Sequence, residues 1–177
     1  MATLKLSSSL SRVSLFLLCL LCTTAAAAAA AAAAPGSKSA TMVAEFLKAH
    51  NRVRAEQGLP LLKWSSRLAT FAKWYSNQRR NDCRLIHSAG DLGENLFWGK
   101  GKRWTPSQAV ALWAAEKSDY DYKRNACIGN RECLHYTQLV WKWTTAVGCA
   151  KVICKSGDSF IACNYYPHGN IIGTRPY

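Results

Sequence analysis

The sequence lacks several patterns that would each indicate a class of function. Beyond its N-terminal region it has no further apolar run of about 20 residues, so it does not predict an integral membrane protein. It has no H-E-x-x-H segment, which excludes the usual helix of a zinc peptidase. It also has no internal repeat and no alternation of strands with helices, which argues against a solenoid or a parallel α/β fold.

Acidic residues are scarce, at 10 Asp and Glu against 23 Lys and Arg, for a formal net charge of +13. The basic residues occur in small groups along the chain rather than in one block, a distribution typical of a solvated surface. We therefore expect no nucleic-acid partner. The excess charge favours attraction to anionic cell-wall or membrane surfaces.

The first 24 residues have the composition of a secretory signal peptide. Lys5 and Arg12 accompany an apolar stretch over residues 13–21, and small residues and an alanine run follow. We place the cleavage site within residues 24–39, so that residues 25–40 are an Ala-rich remnant or a disordered N terminus. The net charge then falls from +13 to +11, because Lys5 and Arg12 are removed. An extracellular location follows, which in a plant is the apoplast.

Cysteine usage agrees with export. Two of the eight cysteines lie in the predicted signal peptide, and the other six contain no C-x-x-C pair. Six cysteines in a secreted domain indicate three disulfides rather than a zinc site, with 15 connectivities open. About 140 residues remain after cleavage, which suits one compact domain.

Hydrophobic periodicity and turn residues predict helices followed by strands. Four helical segments are expected, at residues 42–57, 65–78, 105–116 and 136–140. A long glycine-containing loop is expected over 81–102, and a hairpin pairs strands 146–153 and 159–165. This order favours an α+β domain built in layers.

Four of the seven tryptophans are expected in the core and two at the surface. Trp98 and Trp104 flank a basic, glycine-containing loop and are candidates for an exposed apolar patch. The four expected core residues are Trp64, Trp74, Trp113 and Trp141.

Four short motifs occur in a characteristic order. They are His50-Asn51-x-x-Arg54, Gly93-Glu94-Asn95-Leu96, the segment His135 to Trp141 (HYTQLVW), and the segment Cys163 to Asn170 (CNYYPHGN). Together with six cysteines they resemble the CAP superfamily (cysteine-rich secretory, antigen 5 and pathogenesis-related proteins), above all the first group of plant pathogenesis-related proteins. The resemblance implies one domain over residues 41–177, folded as a three-layer α-β-α sandwich with a central antiparallel sheet. It also implies the disulfides Cys83–Cys154, Cys127–Cys133 and Cys149–Cys163.

The same resemblance implies that four polar residues converge in one cleft: His87, Glu94, Glu116 and His135. Two imidazoles and two carboxylates suit zinc, although they equally suit a metal-free hydrogen-bonded network. We therefore expect no required cofactor, with zinc in the cleft as the alternative. We assign no catalytic residue.

The resemblance implies a monomeric, basic, extracellular defence protein with antifungal activity that binds a sterol or another microbial lipid. The alternative is a hydrolase acting in the cleft, either metal-dependent or through a dyad of Ser88 and His87.

The C-terminal segment also resembles the pattern from which plant members release an eleven-residue signalling peptide. Here that peptide would be residues 167–177, released at the junction Tyr166–Pro167, unless Pro, Gly and Asn only form turns after the last strand.

Overall fold

The computed structural model describes residues 35–177, which form one compact unit. The predicted signal peptide, the alanine run to Ala34 and most of the range predicted to contain the cleavage site lie outside the described residues. Within the described range, every helix is too short or too polar to span a bilayer.

Four α-helices and two short 3-10 helices form the helical part. The α-helices are α1 (Pro35–Glu56), α2 (Ser66–Gln78), α3 (Pro106–Ala115) and α4 (Leu134–Leu139), and the 3-10 helices cover Arg79–Asn81 and Glu116–Asp119. Thr105 and Gln108 form a capping box at the start of α3, and the Ser65 side chain accepts a hydrogen bond from Leu68 N in α2.

Helix α1 begins seven residues before the predicted start at Met42, so residues 35–40, predicted to be a leader remnant or disordered, are helical. The sequence signal for this helix was its apolar face, which starts at Val43. Residues 38–42 are exposed and do not continue this apolar face. A helix can extend past the surface that it buries, and such an extension leaves no periodic apolar pattern.

The central sheet has four strands, β1 (Lys63–Trp64), β2 (Gly93–Gly99), β5 (Ala146–Ile153) and β6 (Ser159–Tyr166). They lie side by side in the order β1-β5-β6-β2. The sheet is antiparallel except for the parallel pair β1–β5, and β3 (Tyr120–Asp121) pairs with β4 (Ala126–Cys127) in a separate ribbon.

Strand β2 corrects the prediction of a continuous loop over residues 81–102. All seven of its residues pair with β6, from Gly93 opposite Tyr165 to Gly99 opposite Ser159. Leu96 and Phe97 are buried in the two different cores, one on each face of the sheet. A strand that is covered on both faces does not alternate apolar with polar residues. Without that alternation, the glycines of this segment favoured the prediction of a loop.

Helices cover both faces of the sheet and create two cores. The larger core contains side chains from α1, α3 and α4 together with Val147 and Ile161, and the smaller contains Ala72 and Tyr75 of α2 together with Ala150. Helix α2 packs so closely on β5 that a Cβ on Gly148 would lie 2.2 Å from the backbone nitrogen of Ala69. The fold is therefore the α-β-α sandwich that the resemblance implied.

Three disulfides link these layers, and they are the pairs that the resemblance implied. Cys83–Cys154 joins the chain after α2 to the chain after β5, and spans 71 residues. Cys127–Cys133 closes a six-residue separation before α4, and Cys149–Cys163 crosses between neighbouring residues of β5 and β6.

The H-N-x-x-R motif of α1 lies inside the protein. His50 and Arg54 are completely buried, and Asn51 holds the segment before β1 by exchanging two hydrogen bonds with the backbone of Leu62. The guanidinium of Arg54 donates to four carbonyl oxygens, that of Pro60 before β1 and those of Leu139, Trp141 and Thr144 at or after the end of α4. The motif therefore joins α1 to the segment before β1 and to the connection between α4 and β5.

The tryptophan predictions hold for most positions. Trp113 and Trp141 are buried, and Trp64 packs against the larger core, but Trp74 is 55% exposed on α2 and its prediction was wrong. Trp98 is exposed as expected. Trp104, by contrast, folds its ring over Gly99 and edge-on to Phe97.

Candidate functional site

The four predicted cleft residues lie on neighbouring elements of the fold. Glu94 is the second residue of β2, and His87 lies in the loop that precedes it. Glu116 begins the 3-10 helix after α3, and His135 is the second residue of α4. Asn95, beside Glu94, donates to the backbone oxygen of His135 at 3.1 Å, which connects β2 to α4.

His87 and Glu94 form the first of two histidine–glutamate pairs. His87 Nδ1 lies 2.9 Å from Glu94 Oε1, which also accepts from Ser88 N. Glu94 Oε2 accepts from the Ser88 hydroxyl at 2.7 Å and from Asn164 Nδ2 at 3.2 Å. The carboxylate of Glu94 is nearly buried and accepts four hydrogen bonds.

The electrostatics of this pair favour its ionised form. Burial raises the pKa of Glu94, but the hydrogen bonds from His87, Ser88 and Asn164 outweigh burial and hold that pKa below its usual value. The hydrogen bond to Glu94 raises the pKa of His87 above 6.5, and the charge of Glu132 adds to this effect. An imidazolium and a carboxylate are therefore stabilised together.

His135 and Glu116 form the second pair. His135 Nδ1 lies 2.7 Å from Glu116 Oε1, and Glu116 Oε2 accepts from the backbone nitrogens of His135 and Tyr136. The indole of Trp113 stacks on the imidazole with the two planes 15° apart. The imidazole is thus oriented by a carboxylate at its edge and by an aromatic ring on its face.

Sequence reasoning missed a fifth polar residue, Glu132. Within residues 35–177, the metal-ligating atoms that lie within 4.8 Å of one another here belong to Glu116, Glu132 and His135. The charge of Glu132 also contributes to raising the pKa of His87. No motif marked Glu132, and only its position directly before Cys133 could have suggested that it lies beside His135.

A second set of ligating atoms, from His50, Cys149 and Cys163, lies in the larger core. Both cysteines are joined in a disulfide, so they have no thiolate to offer a metal. This set is structural.

The predicted processing junction lies at the surface, directly after the sheet. Tyr166 ends β6 and is 60% exposed, and the next two residues are also exposed. Hydrogen bonds tie parts of the remaining segment to the domain, where Gly169 N donates to the Gln138 side chain and Lys142 N donates to Pro176 O. Residues 170–173 between these contacts are exposed, and Ile172 is 98% exposed.

An open cavity of 580 Å³ lies between α1, α2 and β5. Met42, Phe46 and Trp64 form part of its apolar wall, and Lys38, Lys73 and Lys151 are among its polar lining residues. Its volume falls in the range of about 300–1,000 Å³ that is typical of small-molecule sites.

Comparison with known proteins places these features in context. The family model described as the cysteine-rich secretory protein family, CAP, matches residues 47–165. The chain is 47% identical over 165 residues to pathogenesis-related protein PR-1 of Medicago truncatula, covering 93% of this chain and 95% of that protein. It is 44% identical over 141 residues to pathogenesis-related protein 1 of Arabidopsis thaliana, covering 80% of this chain and 86% of that protein.

Among solved structures, venom allergen-like protein 4 of Schistosoma mansoni is similar, with a TM-score of 0.63 and 27% identity. The alignment covers 77% of this chain and 93% of that one. The similarity extends over the α-β-α sandwich.

Proposed function

This chain belongs to the cysteine-rich secretory protein (CAP) family, and from that premise we propose that it is an extracellular defence protein that binds a sterol or another microbial lipid. Its relatives are named pathogenesis-related proteins, which supports a role in defence. Three disulfides support an oxidising, extracellular location.

The observation that carries lipid binding is the cavity between α1 and α2. An apolar ligand lying on Met42 and Trp64 would remove their exposed surfaces from water, at about 25 cal/mol per Å² of apolar area. Lys38 and Lys73 supply positive charge for a polar or anionic head group. The positive net charge of the protein adds a general attraction to anionic cell surfaces.

The geometry of the cleft favours binding over hydrolysis. The hydroxyl of Ser88 donates to Glu94 Oε2, whereas a serine nucleophile needs a hydrogen bond to a general base. The ring nitrogen of His87 is likewise directed at Glu94 rather than at Ser88. The pair therefore orders the loop before β2 and has no activated nucleophile in this arrangement.

Lipid binding can be tested by titrating the protein with a fluorescent sterol. We expect saturable binding, and we expect Met42→Glu to weaken it at least tenfold because the variant introduces a carboxylate into the cavity wall. Leu112→Glu is the matched control, since Leu112 is an exposed apolar residue of α3 outside this cavity. Equal affinities of the two variants, or no saturation, would exclude this cavity as the lipid site.

A second proposed role is release of the eleven residues 167–177 as a signalling peptide, supported by the exposed junction at Tyr166–Pro167. We expect mass spectrometry of extracellular fluid after immune challenge to detect a fragment that begins at Pro167. Replacing Tyr166 by Gly should abolish this fragment by changing the residue before the cleaved bond. If challenged and unchallenged samples both contain only the intact C terminus, peptide release is wrong.

A further inference from the structure

We propose that a second cavity, at the start of α2, binds a small carboxylic acid with an apolar body. The cavity has a volume of 440 Å³ and lies where β5 begins and β6 ends, beside the loop before β2. Its lining residues differ throughout from those of the cavity between α1 and α2, so the two sites are separate.

Most of the wall of this second cavity is apolar. Leu68 and Phe71 contribute from α2, Leu92 from the loop before β2 and Tyr166 from the end of β6. Phe71 and Leu92 are half-buried and Tyr166 is exposed, so each presents apolar surface that a ligand would remove from water. The two aromatic rings suit a ligand whose body is itself an aromatic ring.

One positive charge stands in this wall, and the protein does not neutralise it. In the part of the chain that the structure describes, no carboxylate forms an ion pair with the Arg67 guanidinium. Ser65 Oγ accepts from Leu68 N, which leaves the hydroxyl proton for a second partner. The lining residues include no Asp or Glu, so the wall carries donors for ligand oxygens and no charge that repels an anion.

The single arginine selects the class of ligand. A guanidinium binds a carboxylate through two parallel hydrogen bonds, and such charge-assisted bonds are among the stronger ones in proteins. One guanidinium balances one negative charge, which suits a carboxylate better than a phosphate dianion. A neutral sterol would leave Arg67 without a counter-charge.

Tyr166 connects this cavity with the junction proposed for peptide release. Its backbone oxygen accepts from Thr145 N at 3.0 Å, and it pairs with Ala146, which also lines the cavity. A bound ligand would cover the Tyr166 side chain, which directly precedes the bond proposed to be cleaved. This consequence for peptide release rests on the proposed function, whereas ligand binding does not.

Isothermal titration of the secreted protein with 3-phenylpropionate at pH 7 tests the site, with the uncharged 3-phenylpropionamide as the matched ligand. We expect saturable binding of one equivalent, with an affinity for the carboxylate about fivefold or more above that for the amide. Arg67→Gln should remove this preference. Arg84→Gln changes an exposed arginine outside the cavity and should keep it, as should Met42→Glu in the proposed lipid cavity.

Tyrosine nitration by tetranitromethane, located by mass spectrometry, reports where the ligand lies. Saturating 3-phenylpropionate should slow the nitration of Tyr166 several-fold and leave that of Tyr122, an exposed tyrosine outside the cavity, unchanged.

Four outcomes would each overturn the proposal: no saturable binding, equal affinities for the carboxylate and the amide, an unchanged preference in Arg67→Gln, or an unprotected Tyr166. Loss of binding in Met42→Glu would overturn it as well, by assigning the ligand to the lipid cavity. Failure of sterol binding or of peptide release would leave the result standing, because this titration measures neither.

Discussion

Replacement of Arg54 by Met is expected to lower the free energy of unfolding by about 4 kcal/mol or more. The variant keeps much of the aliphatic volume but removes the donors that satisfy the carbonyl oxygens of four residues in two separate segments of the chain. A buried polar group left without a partner costs about 1–3 kcal/mol, so several such losses together give this large effect. Burial lowers the pKa of Arg54 to about 10, so the side chain remains charged at pH 7.

Urea unfolding monitored by tryptophan fluorescence measures this effect. Arg52→Met is the matched control, because Arg52 lies on the same helix with an exposed side chain and should change stability by less than about 0.5 kcal/mol. Arg54→Lys should have an intermediate effect, because an ammonium cannot reproduce the planar array of guanidinium donors. If Arg54→Met were as stable as Arg52→Met, the carbonyl contacts would contribute no net stability.

Stability is also expected to fall by about 3 kcal/mol as the pH is lowered from 6.5 to 4, because of His50 alone. Burial lowers the pKa of His50 to about 4 in the folded protein, against 6.5 in the unfolded chain. Between these values the unfolded chain binds a proton that the folded protein excludes, so acid shifts the equilibrium towards unfolding. The contribution levels off about one pH unit above 6.5, where His50 is neutral in the unfolded chain as well.

The contacts of His50 explain why the neutral ring is retained. His50 Nδ1 lies 2.8 Å from Phe46 O, so it carries the proton, and Nε2 then accepts from the Tyr165 hydroxyl at 2.9 Å. Protonation of Nε2 would convert this acceptor into a donor and place a charge near Arg54, which itself lowers the pKa of His50. The neutral form therefore satisfies every polar atom of the ring.

Comparison of urea unfolding at pH 7 and pH 4.5 tests the assignment. The loss in the wild type should be reduced by about 2–3 kcal/mol in His50→Gln, whose amide can make related contacts without titrating. His168→Gln is the control, since His168 is exposed in the C-terminal segment and should leave the pH dependence unchanged. An unchanged pH dependence in His50→Gln would assign the acid sensitivity to other groups.

His50 and Arg54 show which properties of a residue a sequence motif can predict and which it cannot. The H-N-x-x-R pattern contributed to the family resemblance, and sequence reasoning placed His50 on the first helix without a functional role. A buried arginine that serves four separate carbonyl oxygens leaves no periodic signal, because its partners lie 6 to 90 residues away along the chain. The energetic importance of the motif became clear only from those contacts.

The residues of the candidate site were likewise predictable from the sequence only in part. The resemblance supplied His87, Glu94, Glu116 and His135, and the structure arranges them as two pairs on neighbouring elements. Glu132 could not be predicted, because its closeness to Glu116 depends on a disulfide and an ion pair that fold its segment back onto the 3-10 helix.

Local chemistry in the sequence was sufficient for the oxidised state, the capped helices α2 and α3, and the hairpin of β5 and β6. These features depend on composition, on capping residues and on turns that act over a few positions. Strand β2 and the grouping of Glu116, Glu132 and His135 were decided by tertiary structure. They depend on pairing with β6 and on a disulfide and an ion pair that local propensity does not encode.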